Sequence, residues 1–195
     1  SERLHERFYV GYHGVDLPHK FKIAVGGCPN MCVKPDLNDL GIVGQRVPQV
    51  DLEKCRACKV CQVVKTCPMG DAQIGPDGKI TIDESVCNHC GRCVGACPFG
   101  AVTEGLTGYK VYIGGRWGKK VAHGRALDKI FTSEDEVMDL VERAILFFRD
   151  EGLSGERFAD TVARLGFDYV QDKLLTAPID KEAILAKSVT GGATC

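Results

Sequence analysis

Long apolar runs are missing from this 195-residue sequence. The longest, Ala144–Phe148, falls far short of the ~20 residues that a helix needs to cross a bilayer. No membrane insertion through such a helix is expected. Excess charge is missing as well: 25 Lys and Arg stand against 26 Asp and Glu, a formal net charge of −1. Nucleic-acid partners require clustered basic charge, so none is expected. No charged-then-apolar leader opens the chain, and no secretory signal is read. No methionine opens it either. Ser1–Arg7 reads like the interior of a longer protein, and a C-terminal fragment is expected.

Cysteine is what the sequence has in plenty: eleven in all. In a small secreted domain they would suggest disulfides. Here eight fall into one patterned stretch, Cys55–Pro98, which makes a reducing, cytoplasmic setting the better reading. The stretch reads CRACKVCQVVKTCP and, further on, CNHCGRCVGACP. The second part is C-x₂-C-x₂-C-x₃-C-P, the bacterial ferredoxin run whose fourth cysteine serves the other cluster. The first part is the same run with two more residues before its last cysteine. Two [4Fe–4S] sites follow: Cys55, Cys58, Cys61 and Cys97 for one, and Cys87, Cys90, Cys93 and Cys67 for the other. Paired C-x₂-C also reads as structural zinc, but zinc sites use two pairs, not triplets plus a distant Cys-Pro. His89 is a spacer between ligands, and Cys195 is a lone thiol with nothing nearby to activate it.

In chain order, FKIAV (21–25) and LGIVG (40–44) read as short buried strands, with a turn-rich segment carrying Cys28 and Cys32 between them. Residues 47–54 read as a linker into the cysteine-rich module. Around Ile74 and Ile80–Ile82, broken by GPDG, a small hairpin is expected. After FGAVTEG, 110–114 reads as a strand, followed by a glycine-rich loop around Arg116 and Trp117. Ser133 with Glu136 forms a capping-box signature. Val137, Leu140, Val141, Ala144, Ile145 and Phe148 then follow at helical spacing, and Gly152 ends the helix. Two shorter helices are expected at about 155–165 and 167–175. Strand segments on both sides of the cysteines suggest a module inserted into a host domain: 51–105 within 1–50 and 106–187, with 188–195 a flexible tail.

LPHKFKIAVGGCPNMC, then DLGIVG, GYKVYIGGRWG, ERF and RLGF, resemble the sirohaem-dependent sulfite and nitrite reductases. The likeness is greatest to anaerobic and dissimilatory sulfite reductase subunits that carry an inserted ferredoxin. It covers about 17–50 and 106–175. GCPN-x-C is its specific motif. The resemblance implies an α+β fold: a sirohaem-reductase-type mixed sheet with C-terminal helices, interrupted by a bacterial-ferredoxin domain. It implies six-electron reduction of sulfite to sulfide, or of nitrite to ammonia.

The resemblance also implies site residues. Cys28 and Cys32 would be the C-x₃-C pair of a third [4Fe–4S] cluster, with Cys32 bridging the sirohaem iron; the bland alternative is two small cysteines in a turn. The family's C-x₅-C pair does not precede Cys28 here, so sirohaem and the third cluster are expected only in the full-length protein, and this piece alone is expected to be inactive. Lys20 and Lys22 match a K-x-K that faces the substrate anion, and strand alternation would set both on one face. Charged residues at a strand end are also ordinary. Arg116, Lys119, Lys120, His123 and Arg125 would meet sirohaem carboxylates, although a solvated basic loop fits equally. The implied partners are an electron-donor protein or subunit, sulfite or nitrite, and other subunits in a homo- or hetero-oligomer. The rival reading is an electron-transfer protein with no catalytic centre of its own.

Overall fold

The computed structural model describes residues 1–12 and 14–178. The expected tail, 188–195 with Cys195, lies outside the described residues. The elements run α1 (Glu2–Leu4) and a π-helical stretch (His5–Val10), then β1 (Ile23–Gly26), β2 (Leu40–Val50), α2 (Gln62–Thr66), β3 (Ala72–Ile74), β4 (Ile80–Ile82), β5 (Val102–Ile113), β6 (Arg125–Phe131), α3 (Glu134–Glu151), α4 (Phe158–Leu165) and α5 (Phe167–Thr176). One sheet has the order β1-β2-β5-β6; β3 and β4 form a separate antiparallel pair. No helix among the described residues is long and apolar enough to cross a membrane.

The chain divides into two compact units. The first comprises Ser1–Gly26, Met31–Val43 and the described residues from Lys110 on; the second comprises Gly27–Asn30 and Gly44–Tyr109.

In the first unit β1 pairs in parallel with β2, Ile23 opposite Leu40 and Gly26 opposite Val43. Its core joins Leu40, Ile42, Val111, Ile113 and Leu127 to the inner face of α3, where Leu140, Val141, Ala144 and Phe148 are buried. Each Val, Leu, Ile or Phe side chain among them contributes about 1.5–3 kcal/mol when removed from water. Phe21, Phe148 and Phe158 pack with ring centroids 5.1–5.9 Å apart. At the start of α3, Ser133 accepts from the Glu136 N–H at 3.2 Å. The return bond of a capping box goes one residue further back than expected, from the Thr132 N–H to the Glu136 carboxylate at 2.9 Å. Gly152 does close α3, in extended rather than left-handed backbone.

The second unit has a small core. Val63, Ala72, Ile80 and Val102 are buried, and Cys55, Cys61, Cys67, Cys93 and Cys97 pack against them. Four apolar side chains are few for an independent unit, and at this size a bound metal group commonly supplies the missing stability.

Two readings of the sequence need correction. Residues 47–50 are not linker but the end of β2, and β5 begins at Val102, inside the segment read as an exit from the module. These strands are sheet neighbours. Arg46 and Glu104 meet by salt bridge, Arg46 Nε to Glu104 Oε2 at 2.8 Å. Tertiary pairing overrides the strand-breaking cues of Pro48 and Gly105.

Candidate functional site: two cysteine-lined cavities

Cys61 caps the N-terminus of α2 and Cys67 its C-terminus, so this one short helix separates the two cysteines by its own length. They part company as a result. Cys61 lines a cavity of about 250 Å³ together with Cys55, Cys58 and Cys97. Cys67 lines a second one, of about 10 Å³, with Cys87, Cys90 and Cys93. Each cavity thus gathers one cysteine triplet and the distant cysteine of the other run. Among the described residues no three His, Cys, Asp or Glu converge tightly enough for a single metal ion.

The two ligand loops share a local device. Ala57, just before Cys58, has φ 46°, and His89, just before Cys90, has φ 57°. Left-handed backbone costs a residue with a Cβ roughly 1–2 kcal/mol, so the fold imposes it twice at equivalent places. The second loop is held from outside: the Arg46 N–H donates to the His89 carbonyl at 2.9 Å, and the Asn88 side chain accepts from the Cys90 N–H at 3.2 Å. Gly91 has φ 68°, and a Cβ there would come within 2.6 Å of the Arg46 side chain.

Asp71 is a neighbour that sequence reasoning missed. It is buried, lines the smaller cavity, and accepts a hydrogen bond from the Cys67 Sγ. Burial pushes its carboxyl up, yet hydrogen bonds from Cys67, Cys87 and nearby backbone N–H groups together hold it below its ordinary value. Burial, and then the Asp71 contact, push the Cys87 thiol up to about 12. The only signal in the sequence was an acid shortly after Cys67-Pro68, which says nothing of its burial.

The other predicted residues are placed differently. Cys28 and Cys32 are both exposed on the loop after β1. Lys20 and Lys22 are exposed but precede β1, which begins at Ile23, so their alternation is not that of a strand. Phe21 between them points into the aromatic cluster. Lys22 is fixed through its backbone: its N–H donates to Asp39 at 2.9 Å, and its carbonyl accepts from the Leu40 N–H at 3.1 Å. Arg116 is committed to both carboxylate oxygens of Asp160, at 2.8 and 2.7 Å. His123 bonds Asp36 at 2.6 Å, and Arg125 lies over the Phe167 ring, 3.9 Å from its centroid. Lys119 and Lys120 are exposed. Beside them Gly115 leaves no room for a side chain, since a Cβ would lie 2.2 Å from the Asp36 carbonyl oxygen.

Residues 1–181 match the model of the nitrite and sulphite reductase 4Fe-4S domain. The chain belongs to that family. The coenzyme F420-dependent sulfite reductase of Methanocaldococcus jannaschii is 36% identical over 152 residues, 77% of this chain and 24% of that protein. The alpha subunit of the dissimilatory-type sulfite reductase of Allochromatium vinosum is 27% identical over 181 residues, 84% of this chain and 43% of that subunit. This nitrite and sulphite reductase domain therefore spans less than half the length of either relative. Its fold is similar to dissimilatory sulfite reductase I, with a TM-score of 0.63 at 23% identity over 91% of this chain and 47% of that one. The mixed α+β architecture and an iron–sulfur domain are thus those of the family.

Proposed function

We propose that the chain is the iron–sulfur part of a sirohaem sulfite reductase, whose own role is to hold two [4Fe–4S] clusters and pass single electrons toward the sulfite site. One observation carries this reading: Cys55, Cys58, Cys61 and Cys97 line one cavity, and Cys67, Cys87, Cys90 and Cys93 the other. The donor set is all thiolate, which suits iron–sulfur groups. When bound, such clusters supply one-electron chemistry over a wide range of potential. The polypeptide contributes ligands, a set of backbone turns that fix them, and a buried carboxyl neighbour, Asp71, at one site only. The sequence likeness to sulfite reductases favours sulfite over nitrite as substrate.

Within that reading Cys28 and Cys32 would be two ligands of a further cluster, and Cys32 would couple it to sirohaem. Their exposure leaves both thiols accessible to ligands from elsewhere. Lys20 and Lys22 draw the sulfite anion and stabilise the oxygens that leave as water. The Asp39 and Leu40 contacts to the Lys22 backbone hold that lysine while its ammonium stays in solvent. Arg116 has its own acid, so sirohaem carboxylates fall to Lys119 and Lys120, with Arg125 at the margin.

The test uses the longer protein that contains this chain, given sirohaem, sulfite and a low-potential dye as reductant. Sulfite-dependent dye oxidation is expected. Lys20→Met and Lys22→Met should each lower turnover about 10²–10³-fold, the usual effect of deleting one donor to a developing anion, with iron content unchanged. Full turnover in both variants would remove the lysines from the site. A protein that never takes up sirohaem would leave a plain electron carrier.

A further inference from the structure

The two cysteine-lined cavities differ in what surrounds them. Three large apolar side chains on the rim of the larger one are exposed, against one, Met69, at the smaller. The three are Val60, Ile74 and Phe99, which are 54%, 45% and 43% exposed. Cys58 is itself exposed, whereas the four cysteines of the smaller cavity are all half-buried. Exposed apolar side chains scattered singly carry no meaning, but several on the rim of one site mark a contact surface.

Charge separates the two ends further. Residues 44–109 hold seven cations and seven anions, so this stretch as a whole is neutral. It is nevertheless polarised. Lys54, Arg56, Lys59 and Lys65 lie in the segment that bears Cys55, Cys58 and Cys61, and all four are exposed. Arg56 lines the cavity with its guanidinium over the Phe99 ring, 5.0 Å from the centroid. The acids of this segment are Asp51 and Glu53, and Asp51 is already paired with Lys54 at 2.9 Å. At the Cys87 end the exposed charges are Asp83, Glu84 and Arg92, together with Arg46, which is paired with Glu104, and Asp71 is buried beneath them.

We infer that the rim of the Cys55–Cys58–Cys61–Cys97 cavity is the docking face for a small acidic electron-carrier protein. The inference rests on the electron-relay reading above and adds which site admits electrons and what kind of donor brings them. An apolar centre with a charged rim is the usual anatomy of a protein contact, and complementary rim charge mainly speeds and orients encounter. An acidic carrier is attracted to Arg56 and Lys59 and repelled from Asp83 and Glu84. With a cluster held by Cys55, Cys58, Cys61 and Cys97, each docking event would pass one electron from the reduced carrier, which is oxidised, to that cluster, which is reduced; no atom is transferred.

The experiment takes the full chain after anaerobic iron–sulfur reconstitution. It measures binding of an oxidised, small, acidic two-cluster ferredoxin by calorimetry at low and high salt, with iron counted per chain. Binding should weaken as salt rises. The Arg56→Glu, Lys59→Glu double variant should bind at least about tenfold more weakly. The neutral Arg56→Gln, Lys59→Gln variant, which is gentler on the ligand loop, should lie between. Val60→Ser should weaken binding without changing its salt dependence, and Arg92→Glu at the other end should bind like the parent. Equal loss in Arg92→Glu would overturn the assignment of the face, and so would tighter binding of a basic cytochrome c. About eight irons per chain with no salt-dependent binding would overturn the docking inference alone. A chain that takes up no iron would overturn the relay reading together with it.

Discussion

Arg157 donates from Nη2 to both carboxylate oxygens of Asp39, at 3.1 and 2.9 Å, and Asp39 has no solvent exposure. Arg157 caps the start of α4, while Asp39 holds the backbone of Lys22. The pair therefore ties the lysine segment to a helix. Burial pushes the Asp39 carboxyl up, more than the Lys22 N–H and Arg157 pull it down. Replacing one partner of a buried pair strands the other charge, at a cost of about 3–5 kcal/mol. Asp39→Ala should lose that much in urea unfolding. Adding Arg157→Met to it should recover a large part, because no unpaired charge then stays buried. A double variant no more stable than Asp39→Ala would show that the loss comes from the Lys22 contact instead.

Backbone strain in the ligand loops gives a second expectation, with opposite signs at neighbouring kinds of site. Ala57 holds φ 46° with a Cβ, so Ala57→Gly should stabilise by up to about 1 kcal/mol, the relief of strain being offset by the greater freedom of an unfolded glycine. Gly91→Ala should do the reverse. It places a Cβ at φ 68° and 2.6 Å from Arg46, which also contacts Glu104 and the His89 carbonyl. The urea midpoints of the two variants should move in opposite directions; a shift of the same sign would mean that the loops relax freely.

What the sequence disclosed and what it hid divide along physical lines. α3 was legible because its signals are local: Ser133, Glu136, a helical apolar stripe and Gly152. The cysteine spacing was legible because ligand geometry imposes it. The reach of β2 to Val50 was not, since those residues are strand only through their neighbour β5. The pairing of Arg116 with Asp160 was hidden for the same reason: 44 residues separate an arginine in a loop from an acid on α4. Asp71 and the left-handed Ala57 and His89 follow from packing, which no pattern of residue types records.

Acid stability tests the carboxylate network near α4. The Arg164 guanidinium, then the Leu153 N–H and Thr161 hydroxyl, hold Glu156 at about 2, against an ordinary 4.5. A carboxyl with a depressed pKa stabilises the fold when ionised. Its contribution is complete above about 4.5 and is lost as pH falls toward about 2. Glu156→Gln should therefore be less stable than the parent at pH 7, and the gap should close through that window, followed by far-UV circular dichroism in urea. A gap that stays constant would assign the difference to packing rather than charge.

The crossed ligand scheme gives the sharpest test, because chain proximity argues the other way. Cys97 follows Cys93 so closely that a local scheme would place it with Cys87 and Cys90. The chain instead turns between them, the Ala96 N–H donating to the Cys93 carbonyl and the Gly100 N–H to that of Cys97. Cys97 then lines the Cys55 cavity beside Pro98 and Phe99. Cys67, at the far end of α2, lines the Cys87 cavity beside Asp71. Asp71 serves as a marker, since only one site has this carboxyl as a neighbour. Asp71→Asn should shift the reduction potential of one cluster and leave the other unchanged, because it alters the hydrogen bonding and charge beside the Cys67 and Cys87 ligands alone. Serine is a poorer iron ligand than cysteine. Cys67→Ser should therefore alter the electron paramagnetic signal of the cluster that Asp71→Asn shifts, and Cys97→Ser the signal of the other. If Cys97→Ser changes the Asp71-sensitive cluster, each run keeps its own fourth cysteine and the two cavities do not define the ligand sets.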